Sequence, residues 1–183
     1  MFLLRQIPSF DSIREHSERH AAAGADPSSI ELWLLLLRTA SDVLAEFEAF
    51  LAGHGLSQGR FIVLMLLNKC ISEPATASDL ADRSGMSRGA MTGVIDSLEE
   101  EGLVERTRSA EDRRSWVVKI TPAGESRLDE ILPGHFEGIS ERMGVLDEGE
   151  RAQLSEQLKR FLDAGELLTA DGRSDGGVSD GSA

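Results

Sequence analysis

The stretch Thr76–Thr121 reads TASDLADRSGMSRGAMTGVIDSLEEEGLVERTRSAEDRRSWVVKIT, and its reading decides the fold. Thr76 and Asp79 stand at capping-box spacing, with Pro74 just before, so a helix should open there. Leu80 and Ala81 supply its short apolar face. Gly85 should end it, because glycine accepts the left-handed backbone of a helix stop. Ser87 then caps a second helix. Met91, Val94, Ile95 and Leu98 recur at three- and four-residue spacing, which makes them the buried stripe of that helix. Ser87, Arg88, Gly89, Thr92 and Asp96 lie off the stripe. Gly102 should stop this helix. Leu103–Thr107 and Trp116–Ile120 are β-prone and partly alternating, and the charged loop between them has hairpin length. The order helix, tight turn, helix, hairpin is how a small protein seats one helix in a DNA major groove with a cationic loop beside it.

Around this core the residues resemble a known family. The loop sequence Asp112-Arg113-Arg114, the strand ending Ile120-Thr121 and the Pro-Ala-Gly start after it are similar to the wing of the MarR family of bacterial transcriptional regulators. Leu98-Glu99 with Gly102-Leu103-Val104 and Arg106, and the lead-in Gly55-Leu56-Ser57-Gln58 with Phe61 and Leu64, add to the likeness, which runs from Ile30 to Leu168. Gly89 and Gly93 depart from the pattern, since glycine inside a helix costs about 1 kcal/mol relative to alanine. The resemblance implies a mainly α fold with a small β-hairpin wing: a winged helix-turn-helix with long helices forming a dimerisation domain. It implies a homodimer on double-stranded DNA, with Ser87, Arg88, Gly89, Thr92, Arg106, Asp112, Arg113 and Arg114 facing the duplex. It also implies a small aromatic or anionic ligand near Trp33, Leu37, Phe61 and His135, because relatives bind small molecules where the dimerisation helices meet the DNA-binding lobe.

The formal net charge is -13, from 19 Lys and Arg against 32 Asp and Glu. Such a balance ordinarily argues against nucleic acid. Placement reverses the argument: Arg106, Arg108, Arg113, Arg114 and Lys119 crowd the hairpin, where only Glu111 and Asp112 oppose them. Cys70 is the one cysteine, so no intramolecular disulfide forms, and a buried thiol suits it better than a redox sensor. Neither a secretory signal nor an apolar run long enough to span a membrane is visible, which points to the cytoplasm.

The remaining segments divide by composition. Residues 1–27 form an N-terminal extension, in which Phe10–Ala23 has helical character. Residues 28–168 hold the MarR-like domain, with dimerisation helices at 28–52 and 122–168 flanking a DNA-binding lobe at 56–121. Asp26-Pro27 has the look of a cap and first turn. Ile30, Leu34, Leu37, Leu44 and Leu51 keep one stripe, and Trp33, Leu36, Ala40, Val43, Phe47 and Phe50 keep another, so this helix needs cover on two sides. Thr121-Pro122 opens a helix through Arg142 that Pro133 should kink. Asp147 and Glu150 make another capping box. Residues 169–183, rich in Gly, Ser and Asp, are expected to be a disordered tail.

No phosphate loop, nucleophile elbow or Cys-x-x-Cys occurs, so neither an enzyme nor a cofactor is expected. His16 and His20 share a helix face as metal ligands do, but two histidines on a polar extension are ordinarily solvated, and no metal site is assigned. The functional expectation is a sequence-specific transcriptional regulator, a repressor first, acting as a homodimer on a pseudo-palindromic site and modulated by a small molecule. The alternative is a winged-helix protein-interaction module without DNA readout.

Overall fold

A computed structural model of the chain describes residues 7–20, 26–70, 75–108 and 115–171, with side chains described at all of these except 69–70 and 165–171. The elements in chain order are α1 Phe10–His20, α2 Pro27–Gly53, α3 Gln58–Met65, a π-helical turn at Leu66–Cys70, α4 Ala77–Ser84, α5 Arg88–Glu100, β1 Val104–Arg108, β2 Trp116–Ile120, α6 Pro122–Met143 and α7 Glu148–Asp171. The fold is thus mainly helical, with one two-stranded antiparallel hairpin. The chain divides into two compact units, Met1–Ile131 and Leu132–Ala183, and the division falls inside α6.

Helix starts follow the caps. The Asp26 carboxylate accepts from Ser28 N at 3.1 Å, and Pro27 follows at the first helical position. Thr76 and Asp79 form the reciprocal capping box, with Thr76 N donating to Asp79 Oδ2 at 2.8 Å and Asp79 N donating to Thr76 Oγ1 at 3.2 Å. Donation from the Thr76 backbone, and then from its hydroxyl, holds the Asp79 carboxyl below its ordinary value. Asp147 and Glu150 repeat the device before α7, with bonds of 2.8 and 2.9 Å. Gly85 and Gly102 end α4 and α5 with φ of +71° and +72°, the left-handed geometry that glycine alone adopts without strain.

In the first unit α3, α4 and α5 pack together, and the hairpin closes against them. The strands pair from Val104 with Ile120 to Arg108 with Trp116. Val118 N donates to Ala75 O at 2.8 Å, which ties the segment before α4 to the hairpin. Leu64, Leu80, Met91, Ile95, Leu98, Leu128 and Ile131 are fully buried, so apolar burial carries this lobe. At the end of α2, Gly55 turns the chain with φ of +68°. Two arginines claim the carbonyls there. Arg127 of α6 donates to His54 O, and Arg60 of α3 donates to Gly55 O at 3.4 Å while pairing with Glu101 at the end of α5.

The second unit holds the remainder of α6 and α7. Pro133 lies within α6, which stays helical across it from Pro122 to Met143. Every described side chain of α7 is exposed, among them Leu154, Leu158, Phe161 and Leu162.

Several boundaries differ from the sequence expectation. α1 is described through His20, and the rest of its expected span, to Ala23, lies outside the described residues. β1 starts at Val104 and extends through Arg108. α7 runs to Asp171, past the expected end at Leu168, while the rest of the expected tail, 172–183, lies outside the described residues.

Among the described glycines, Gly124 has the least room for a side chain. A Cβ there would fall inside the envelope of the Leu103 carbonyl oxygen and come to 2.7 Å from Ile120 Cγ1. Backbone cannot give way as a flexible side chain can, so Gly124→Ala should cost about 1–3 kcal/mol. Urea unfolding followed by circular dichroism measures it, and an unchanged midpoint would show that α6 shifts freely off the hairpin.

Candidate nucleic-acid interface

The helix α5 is set by its two ends and its buried stripe. The Ser87 hydroxyl oxygen accepts from Ala90 N at 3.2 Å and fixes the first turn. Met91, Ile95 and Leu98 are fully buried, and Val94 is half-buried. The opposite face, with Arg88, Gly89, Ala90, Thr92, Gly93 and Asp96, is exposed. Ser87, Arg88, Gly89 and Thr92 therefore do come together on one open surface. The Thr92 hydroxyl donates to Arg88 O at 3.0 Å, which leaves its methyl group and an accepting oxygen on the exposed face. A Cβ added at Gly89 or Gly93 would meet nothing within 4 Å, so neither glycine is required by the protein's own packing.

Arg106, expected on the duplex side, is held by two carboxylates of α5. Its guanidinium donates to Asp96 and Glu99, both on α5, and its backbone N donates to Glu99 Oε1 at 3.2 Å. The hydrogen bond to Asp96, assisted by the Glu99 charge, raises an already high Arg106 pKa. A fork engaged by two carboxylates is spent on geometry: it clips the base of the hairpin to the recognition helix. Sequence reading counted Arg106 among the duplex-facing cations and missed its partners. The spacing of Asp96 and Glu99 on one helical face was the available clue.

At the outer end of the hairpin the Arg108 guanidinium carbon stands 4.3 Å from the centroid of the Trp116 ring. This stack rigidifies the base of the wing at its last ladder pair. Asp112, Arg113 and Arg114 lie outside the described residues.

Of the residues expected around a ligand, Trp33, Leu37 and Phe61 belong to the first unit and His135 to the second. Trp33 and Leu37 on α2 are 54% and 47% exposed, whereas Phe61 on α3 is 5% exposed and packs edge-on against Phe47 at 5.5 Å. Phe47 stands on the same stripe as Trp33, about four turns further along α2, and it is Phe47 that meets α3. His135 belongs to the second unit, where burial lowers its pKa. The side chain of Cys70 lies outside the described residues. Among the described residues no group of three or more His, Cys, Asp or Glu could hold a metal ion. No single helix among them is long and apolar enough to cross a membrane.

Comparison with known proteins agrees with this geometry. The sequence profile of the MarR family matches residues 56–116, from just before α3 to the start of β2. An HTH-type transcriptional repressor of Bacillus subtilis (strain 168), YetL, is 34% identical over 167 residues, covering 87% of this chain and 99% of the relative.

The chain belongs to the MarR family.

Its fold matches that of the transcriptional regulator BldR from Sulfolobus solfataricus, with a TM-score of 0.62 and 28% identity over 75% of this chain and 96% of that one. The Staphylococcus aureus MepR–DNA complex shows the same fold at a TM-score of 0.64 and 17% identity, over 72% of this chain and 94% of that one. The chain is accordingly a DNA-binding transcriptional regulator with the winged-helix architecture of the MarR family.

Two outcomes follow from the site. Arg106→Ala should lower duplex affinity while leaving the salt dependence unchanged, because its guanidinium is already held by Asp96 and Glu99. A slope shallower by about one unit in a salt titration would instead make it a phosphate contact. Gly93→Ala should stabilise α5 by about 1 kcal/mol, since the new methyl group has room and glycine is the poorer helix former. Denaturant unfolding reads this, and a loss of stability would reveal a neighbour to this face in the folded protein.

Proposed function

We propose that this protein is a homodimeric repressor that reads a pseudo-palindromic duplex with α5, with its affinity tuned by a small apolar or anionic ligand. The observation that carries the proposal is the exposed face of α5, held by a buried stripe behind it and by the Arg106 clip beside it. Arg88 and the Thr92 methyl group are the base-reading contacts of this proposal, and Ser87 and Gly89 bring the helix start against the backbone. The hairpin supplies Arg113 and Arg114 to the minor groove or its phosphates. Asp112 restricts the search of Arg114 by a charge-assisted hydrogen bond across the loop.

Homodimer formation is supported by what the single chain leaves uncovered. Leu32, Trp33, Leu35, Leu37 and Val43 of α2 and Leu154, Leu158, Phe161 and Leu162 of α7 are exposed large apolar side chains. Burial of such faces contributes roughly 25 cal/mol per Å². A two-fold partner covers them and sets two recognition helices about one helical turn of DNA apart. Ligand control then acts through the spacing of the two helices, by the difference in ligand affinity between the two spacings. Repression follows the YetL relative, and a regulator of this kind works in the cytoplasm without catalytic activity of its own.

Anisotropy titrations against duplexes selected from a random pool test the DNA reading. Arg88→Ala and Thr92→Ala should change which sequences are preferred. Arg114→Ala should weaken binding to every sequence, with the slope against salt shallower by about one unit. Asp112→Ala should give a milder loss of the same kind. Tighter binding by Asp112→Ala would remove its positioning role, and salt-insensitive or absent duplex binding by the parent would favour a protein-interaction module. For the oligomer, sedimentation at low micromolar concentration should give a dimer; a well-folded monomer would overturn that part.

A further inference from the structure

We propose that the groove between α1 and the start of α2 is a binding site for a small amphipathic carboxylic acid. The groove encloses about 480 Å³ and lies far along the chain from the surface that α5 presents. That volume falls in the range of small-molecule sites, roughly 300–1,000 Å³. Its floor is apolar, built from Pro8 and Ile13 of the extension and Ile30 of α2. Ile13 is 5% exposed, so α1 is seated on α2 by this residue rather than lying loose in solvent.

The polar part of the wall is chemically one-sided. It consists of His16 and His20 with the hydroxyls of Ser12 and Ser17, and no carboxylate lines it, in a chain with 32 Asp and Glu. The two imidazole rings stand 5.4 Å apart, tilted by 40°, on successive turns of α1. An imidazole offers an N–H in either protonation state, so the pair can donate to the two oxygens of one carboxylate. The neighbouring arginines are occupied elsewhere on the helix, Arg14 with Asp11 at 3.2 Å and Arg19 with Glu15 at 2.6 Å. Among the described residues no acid lines this wall for a cation, and the exposed imidazoles give an anion donors that a wholly apolar molecule would not use. An apolar body of one or two rings carrying a single carboxylate matches floor and wall together. The site lies outside the residues that the family profile matches, 56–116.

The test uses the full-length protein labelled at its histidine ring carbons, with 2-naphthoate as the probe and 2-naphthalenemethanol as its uncharged counterpart. Naphthoate should move the His16 and His20 resonances saturably, leave His54 in place, and bind at least tenfold more tightly than the alcohol. His16→Gln/His20→Gln should abolish that preference while leaving the weak binding of the alcohol, and Ile30→Ser should weaken both probes. The proposal is overturned if naphthoate binds the double variant as tightly as the parent, or if the resonances of His54 or His135 respond instead. It is equally overturned if neither probe moves His16 or His20, the outcome expected when a second copy of the chain fills the groove. Movement of both by zinc alone would replace it with a metal site. Duplex binding without any probe is measured separately, so failure here leaves the regulator reading standing.

Discussion

The reading surface exists because α5 is anchored from behind. Met91, Ile95 and Leu98 are removed from water, and with the three of them buried on one side the rotation of the helix about its axis is fixed. Rotation by a single residue position, about 100°, would bury Arg88 or Thr92 and expose core. The caps add precision to this anchor. Ser87 sets where the first turn begins, and Gly102 sets where the chain leaves for β1. Everything the duplex would meet therefore depends on an apolar contact that the duplex never touches.

The acidity of the chain is reconciled with its function by location and by use. Net charge describes solubility and long-range steering, whereas recognition depends on local placement. Asp96 and Glu99 stand on the recognition helix itself, where a carboxylate would ordinarily repel phosphate. The Arg106 guanidinium offsets one of their two charges and binds both side chains, so they act as struts within the lobe. The lobe thus spends one arginine to hold the wing base, and stacks a second, Arg108, on Trp116.

Local features were legible in the sequence because local physics produces them. The capping boxes at Thr76/Asp79 and Asp147/Glu150, the glycine stops at Gly85 and Gly102, and the α5 stripe all rest on residues within a turn or two of one another. Contacts across elements were not legible. The Arg106–Asp96 and Arg106–Glu99 pairs join residues ten and seven positions apart, and only the way β1 folds back along α5 brings them together. Hydropathy likewise did not say which residue of the Trp33–Phe47 stripe of α2 meets Phe61; it is Phe47. His16 and His20 were visible as a pair on one face, yet Ile30 joins them only because α1 folds back on α2.

The turn at His54 and Gly55 has a mechanical meaning. The two carbonyls just beyond α2, of His54 and Gly55, are held by Arg127 and Arg60, and Arg60 reaches on to Glu101 at the end of α5. Apolar contacts let surfaces slide at little cost, but guanidinium hydrogen bonds are directional and resist twist as well as separation. The junction is therefore an elbow that transmits torque. A reorientation of the long helix changes the heading of the reader helix instead of being absorbed in a soft loop, and a lysine in place of Arg60 would lose the fork that grips two elements at once.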